Sequence, residues 1–137
     1  MSWAQSLIKL STYEVEVLQK RLGEIADRRM QVEMKLVLLE AEAEAEAERA
    51  RHDVEHGWYQ LGFLEGLRAR RAIILADIAR IQIEEAGARD ALALAFEEQK
   101  KYEHVAESIR LARAKEVARQ ETAAMDEMGL RRAAAGR

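Results

Sequence analysis

The stretch LEAEAEAEAERA, residues 39–50, decides the fold. Glutamate and alanine alternate there from Glu40 to Ala47. A strict period of two marks a half-buried β-strand, yet Ala and Glu are among the strongest helix formers and both are depleted in strands. The wider spacing resolves the conflict. Steps of four and three from Ala4 reach Ile8, Ser11, Val15, Leu18, Leu22, Ile25, Arg29, Val32, Leu36, Leu39, Ala43, Glu46, Ala50 and Asp53. All but Ser11, Arg29, Glu46 and Asp53 are apolar, which is the seam by which one helix packs along another. Ala43 and Ala50 continue that seam, so the tract reads as helix with a thin, small-residue face. Disorder is the rival reading, because Glu40/Glu44/Glu48 and Glu42/Glu46 are like-charge pairs one turn apart, each costing about 0.2–0.5 kcal/mol. A neighbouring basic surface offsets that cost.

Such a surface follows in the chain. HGWYQLGFLEGLRARR holds Gly57, Gly62 and Gly66, the densest glycine cluster, and then Arg68, Arg70 and Arg71. A reversal near Gly57–Gly62 lays the basic run beside the acidic one. A second seam then runs Leu67, Arg71, Ile74, Ile78, Ile81, Glu85, Ala88, Leu92, Ala95, Gln99, Tyr102, Ala106, Ile109. Glu46 and Arg71, the polar seam residues nearest the bend, are expected to approach each other, with Glu46–Arg68 the alternative for a shorter turn. Beyond Ile109 the apolar stripe shifts to Leu111, Ala114, Ala118, Met125 and Met128, so the end of the second helix is expected to be held less tightly by the first.

The predicted fold is therefore all-α: an antiparallel two-helix coiled coil without β structure, in one hairpin over residues 1–137. Helix 1 covers about 4–55, the bend about 56–62 and helix 2 about 61–132, followed by a frayed tail. At ~1.5 Å per residue helix 1 spans nearly 80 Å, and the longer helix 2 overhangs it.

Composition agrees. Of 137 residues, 49% are hydrophobic but only 5% aromatic, and there is no Pro, Cys or Asn to build turns or disulfides. The lack of Cys fits a reducing compartment, no apolar run reaches the ~18–20 residues of a membrane span, and MSWAQSLIKL is not a secretory signal, so a cytoplasmic protein without direct membrane insertion is expected. A net charge of −3 argues against nucleic acid as a partner. Charge is uneven: residues 1–57 carry 8 basic and 12 acidic side chains, residues 110–137 carry 7 and 4. RLARAK (110–115) has no aromatic interleaving, so its signal for nucleic acid is weak.

Catalytic chemistry is missing from the pattern. There is no phosphate-binding GxxxxGK[ST] loop and no thiol nucleophile. Ser2, Ser6, Ser11 and Ser108 stand in no nucleophile-elbow context. HDVEH places His52 and His56 one turn apart, a spacing that can share Zn²⁺, but no third ligand is evident; a pair of surface histidines at a helix end is the plainer reading. No enzyme, cofactor or metal is expected. Trp58, Tyr59 and Phe63 form the one aromatic cluster, either capping the open end of the coiled coil or forming a docking patch.

RLGEIADRRMQVEMKLVLLE (21–40), KKYEHVAESIRLARAKEVARQETAAMDEMGLRRA (100–133) and, above all, AAMDEMGLRR (123–132) resemble the flagellar export protein family FliJ, as does the Tyr59/Phe63 spacing. The EAEAEAEA tract departs from that pattern. The resemblance implies a non-enzymatic stalk and coupling subunit of the flagellar type III export apparatus, cytoplasmic and peripherally associated with the flagellar base at the inner membrane. It implies chain ends that enter the hexameric export ATPase FliI, a bend region directed toward the export gate FlhA, and the handling of export chaperones. Carried over by position, the ATPase contact falls on Trp3, Ile8, Met125, Asp126, Glu127, Arg131 and Arg132, and the gate contact on Leu39, Phe63 and Leu67. A generic dimeric coiled-coil tether and the equivalent stalk of a virulence secretion system are the alternatives.

Overall fold

The structure is a computed structural model that describes residues 2–53 and 57–136. Two α-helices make up the fold: α1, Trp3–His52, and α2, Gly57–Ala135. No strand occurs among the described residues, and the alternating Glu40–Ala47 tract is helical throughout. The helices pack against each other as an all-α hairpin, in two compact units.

One unit comprises residues 15–94. Its seam is the one the heptads specify: Val15, Ile25, Leu39, Leu67, Ile78, Ile81 and Ala88 are buried, and Leu22 and Val32 pack on the Ile25–Ile81–Ala88 cluster. Ion pairs show the antiparallel sense, since Arg28 meets Glu84 at 2.6 Å and Arg70 meets Glu42 at 3.3 Å. Two of the polar interruptions of the seam in this unit, Arg29 and Glu85, find each other. Arg29 Nε donates to Glu85 Oε2 at 2.6 Å, and Arg89 donates to Glu85 Oε1 at 2.8 Å. Arg29 also reaches Glu33 at 3.0 Å. The Glu85 side chain is only 5% exposed, and these donors offset the penalty that burial places on its charge.

The acidic tract gains the basic neighbours its composition calls for, but in another register. Arg71 stands 3.8 Å from Glu40, not opposite Glu46, and Arg70 takes Glu42. Glu46 instead receives Arg49 of its own helix at 3.1 Å. The shift follows from the turn: α2 is already helical at Gly57, so Gly57–Gly62 belong to the helix rather than to a bend over 56–62. With α2 starting at Gly57, Arg70 and Arg71 come to lie along Glu42 and Glu40. No described glycine has positive φ, and a Cβ added at Gly62 or Gly66 would meet nothing within 4 Å. These glycines therefore supply no turn conformation that another residue lacks.

The other unit comprises residues 1–14 and 95–137. Ser2 and Gln5 cap α1 reciprocally: the Gln5 amide donates to Ser2 Oγ at 3.3 Å and the Ser2 amide to Gln5 Oε1 at 3.1 Å. Ala4, Ser11 and Ala95 are buried. The polar seam residues here are satisfied as well. Ser11 and Thr12 each donate to the Ile8 carbonyl at 2.9 Å, and the Gln99 amide donates to Thr12 Oγ1 at 2.9 Å. From Arg110 to Gly136 every residue is exposed, although α2 remains helical to Ala135.

Candidate functional site: an uncovered helix end and an apolar groove

The phase change beyond Ile109 explains the uncovered end. The seam runs Tyr102, Ala106, Ile109, whereas the following stripe runs Leu111, Ala114, Ala118, Met125, Met128. A helix turns ~100° per residue, so a two-residue shift carries the stripe off the face that α1 covers. Ser2, Ala4 and Ile8 share a shallow groove with Ala106, Ile109 and Arg113, so α1 begins opposite that turn of α2. Beyond Arg113 no described residue lines that groove, and Met125 is left 72% exposed.

Local charge pairs support this stretch of helix in the absence of packing. Arg110 holds Glu107 at 2.6 Å, Arg119 holds Glu116 at 2.9 Å, and Arg131 holds Glu127 at 2.8 Å. Arg110 keeps the Glu107 carboxyl below its usual pKa, chiefly through their hydrogen bond, and Glu107 in turn raises Arg110.

Met125, Asp126, Glu127, Arg131 and Arg132, expected at an ATPase contact, all lie exposed on this free stretch. Trp3 is 63% exposed and Ile8 half-buried at the start of α1. They do not meet the Met125 group, because Met125 lies twelve residues beyond Arg113, about 18 Å along α2. The expected ATPase residues thus form two patches in this unit rather than one.

In the unit of residues 15–94, Leu39 and Leu67 line one groove with Ala43, Leu64, Arg68 and Arg71. Both leucines are buried, so they form the groove's floor, while Phe63 is half-buried one turn before Leu67 and Tyr59 is 76% exposed. Leu64 was missed by the heptad reading, which starts at Leu67; its apolar side chain one turn closer to the glycines was the available signal. Arg29–Glu85 was missed because two seams read separately do not give their mutual register. Opposite charges inside the apolar stretches of the two seams were the cue.

Among the described residues no three metal-ligating side chains cluster, and no helix is long and apolar enough to cross a membrane. The HDVEH candidate lies partly outside the described residues; its His52 contacts Glu48 at 2.9 Å.

No protein-family model matches the chain, and no solved structure matches it. Two curated relatives do: the Flagellar FliJ proteins of Caulobacter vibrioides strains NA1000 / CB15N and ATCC 19089 / CIP 103742 / CB 15. Each is 57% identical over 134 residues, covering 98% of this chain and 96% of the relative. Identity at that level over nearly the whole hairpin, free end included, shows that the chain belongs to the FliJ family of flagellar proteins.

Proposed function

We propose that this chain is the non-enzymatic stalk and coupling subunit of the flagellar type III protein export apparatus. It engages the hexameric export ATPase FliI through its helix ends and the export gate FlhA near the turn, and it handles export chaperones. It works in the cytoplasm, against the flagellar base at the inner membrane. The observation that carries this reading is the uncovered end of α2. A helix that continues from Arg110 to Ala135 with no residue buried presents its side chains to a molecule outside the chain.

In this reading Met125, Asp126, Glu127, Arg131 and Arg132 offer one apolar anchor amid charges of both signs, with Trp3 and Ile8 as a second patch. Contact with some ring subunits and not others shifts their interfaces by small changes in packing and charge, and the nucleotide chemistry belongs to the ring. The floor of Leu39 and Leu67 with Phe63 at its edge gives the gate an apolar groove rimmed by arginines.

The test is ATP turnover by the cognate ATPase across a concentration series of this protein, full-length and lacking residues 111–137. The full chain raises turnover and co-elutes with the ATPase, and the truncated chain does neither. Unchanged turnover and no co-elution with the full chain refute the reading.

A further inference from the structure

The free end of α2 has a pattern that fits itself. Leu111, Ala114, Ala118, Glu121, Met125 and Met128 are spaced three, four, three, four and three residues apart, a heptad stripe of its own. After Leu111 its small residues, Ala114 and Ala118, precede its long ones, Met125 and Met128. A two-fold axis between Glu121 and Thr122 sets Ala118 opposite Met125 of a second copy, and Ala114 opposite Gly129, next to Met128. Long, flexible methionines then fill the space that alanines leave, twice each by symmetry.

Charge follows the same symmetry. Residues 110–119 hold Arg110, Arg113, Lys115 and Arg119 against Glu116 alone, while residues 120–129 hold Glu121, Asp126 and Glu127 and no basic residue. Antiparallel pairing lays each basic half along an acidic one; parallel pairing opposes like to like. Lys115 falls two residues from the position opposite Asp126 of the other copy, within reach of its long side chain, and neither makes an ion pair among the described residues.

We propose that residues 111–128 of α2 form an antiparallel, two-fold symmetric coiled coil with a second copy of this chain, each hairpin remaining intact. Glu121, the charged member of the stripe, lies beside the axis and keeps the dimer weak and reversible. This pairing covers Met125 and Asp126, so it and the proposed ATPase contact exclude each other.

Sedimentation of the full chain over a concentration series tests it, with circular dichroism confirming that each variant stays helical. The wild-type chain shows a reversible monomer–dimer equilibrium. Met125→Glu abolishes the dimer and Glu121→Leu tightens it. Lys115→Glu weakens it about fivefold, the effect of two symmetry-related charge contacts, and Lys115→Glu/Asp126→Lys restores it. The chain has no Cys, so single-cysteine variants report the geometry: Thr122→Cys oxidises to a cross-linked dimer, and Leu111→Cys does not. A chain that stays monomeric, a dimer indifferent to Met125→Glu, or equal cross-linking at both cysteines overturns the proposal.

Discussion

Arg29 and Glu85, one from each helix, meet at 2.6 Å within an apolar stretch of the seam, where Glu85 also accepts from Arg89. Arg29 is raised from its ordinary pKa and Glu85 lowered, in both cases chiefly by their shared hydrogen bond. Aliphatic heptads tolerate a slip of one repeat, and a charged pair inside the seam does not, because a slip leaves both groups buried among hydrocarbons.

Removing one partner is therefore expected to be worse than removing both. Arg29→Leu leaves Glu85 nearly buried without its main donor and lowers the melting temperature by several degrees. Arg29→Leu/Glu85→Leu recovers most of that loss but broadens the distance distribution between spin labels at Glu24 and Asp90. Thermal melts and pulsed electron resonance on the same samples check both parts.

Acid should loosen the same layer. The folded-state pKa of Glu85 lies below its unfolded value, so its stabilisation is fully present above the unfolded glutamate range, near 4.3, and is lost as pH falls through the lower, folded value. The melting temperature is expected to hold from pH 7 to about 5 and then to fall. Glu85→Gln flattens that descent, and a calorimetric pH series measures the difference.

Gly62 and Gly66 sit inside α2 with open space where a Cβ would stand. Each replaced by Ala gains about 0.5–1 kcal/mol of helix stability. Gly62→Ala/Gly66→Ala raises the denaturant midpoint and keeps the wild-type spin-label distances. A lost hairpin would mean that these glycines act as the hinge.

Leu67→Ala empties part of the groove floor and costs about 2–3 kcal/mol in chemical denaturation. Phe63→Ala, at a half-buried position, costs less than half of that. Weakened gate binding by Phe63→Ala, with the hairpin intact, separates a contact residue from a packing one.

Most of the fold was legible because the signal is periodic. Every seam residue predicted from Ala4 to Ala50 is buried or half-buried, including Ala43, Glu46 and Ala50 within the alternating tract. What periodicity does not encode is the offset between two seams, which depends on where the turn falls. One helical residue more or less there slides the partners past each other, and so Arg71 came to rest on Glu40. The glycines misled for a related reason: glycine permits a turn but does not impose one. For the site, the free end was visible as a stripe that changed phase. The separation of Trp3 and Ile8 from Met125 depends on where α1 starts, which no residue pattern states.

The same free end divides the chain under mutation. A change at Ile25 or Ile81 must be answered by a change on the opposite helix, so those positions drift in pairs. From Leu111 to Ala135 every residue is exposed, so tolerance there is expected to be set by other molecules. In a library of random variants, fitness effects at 111–132 should correlate with residues of a different gene product, or with one another, and scarcely with α1.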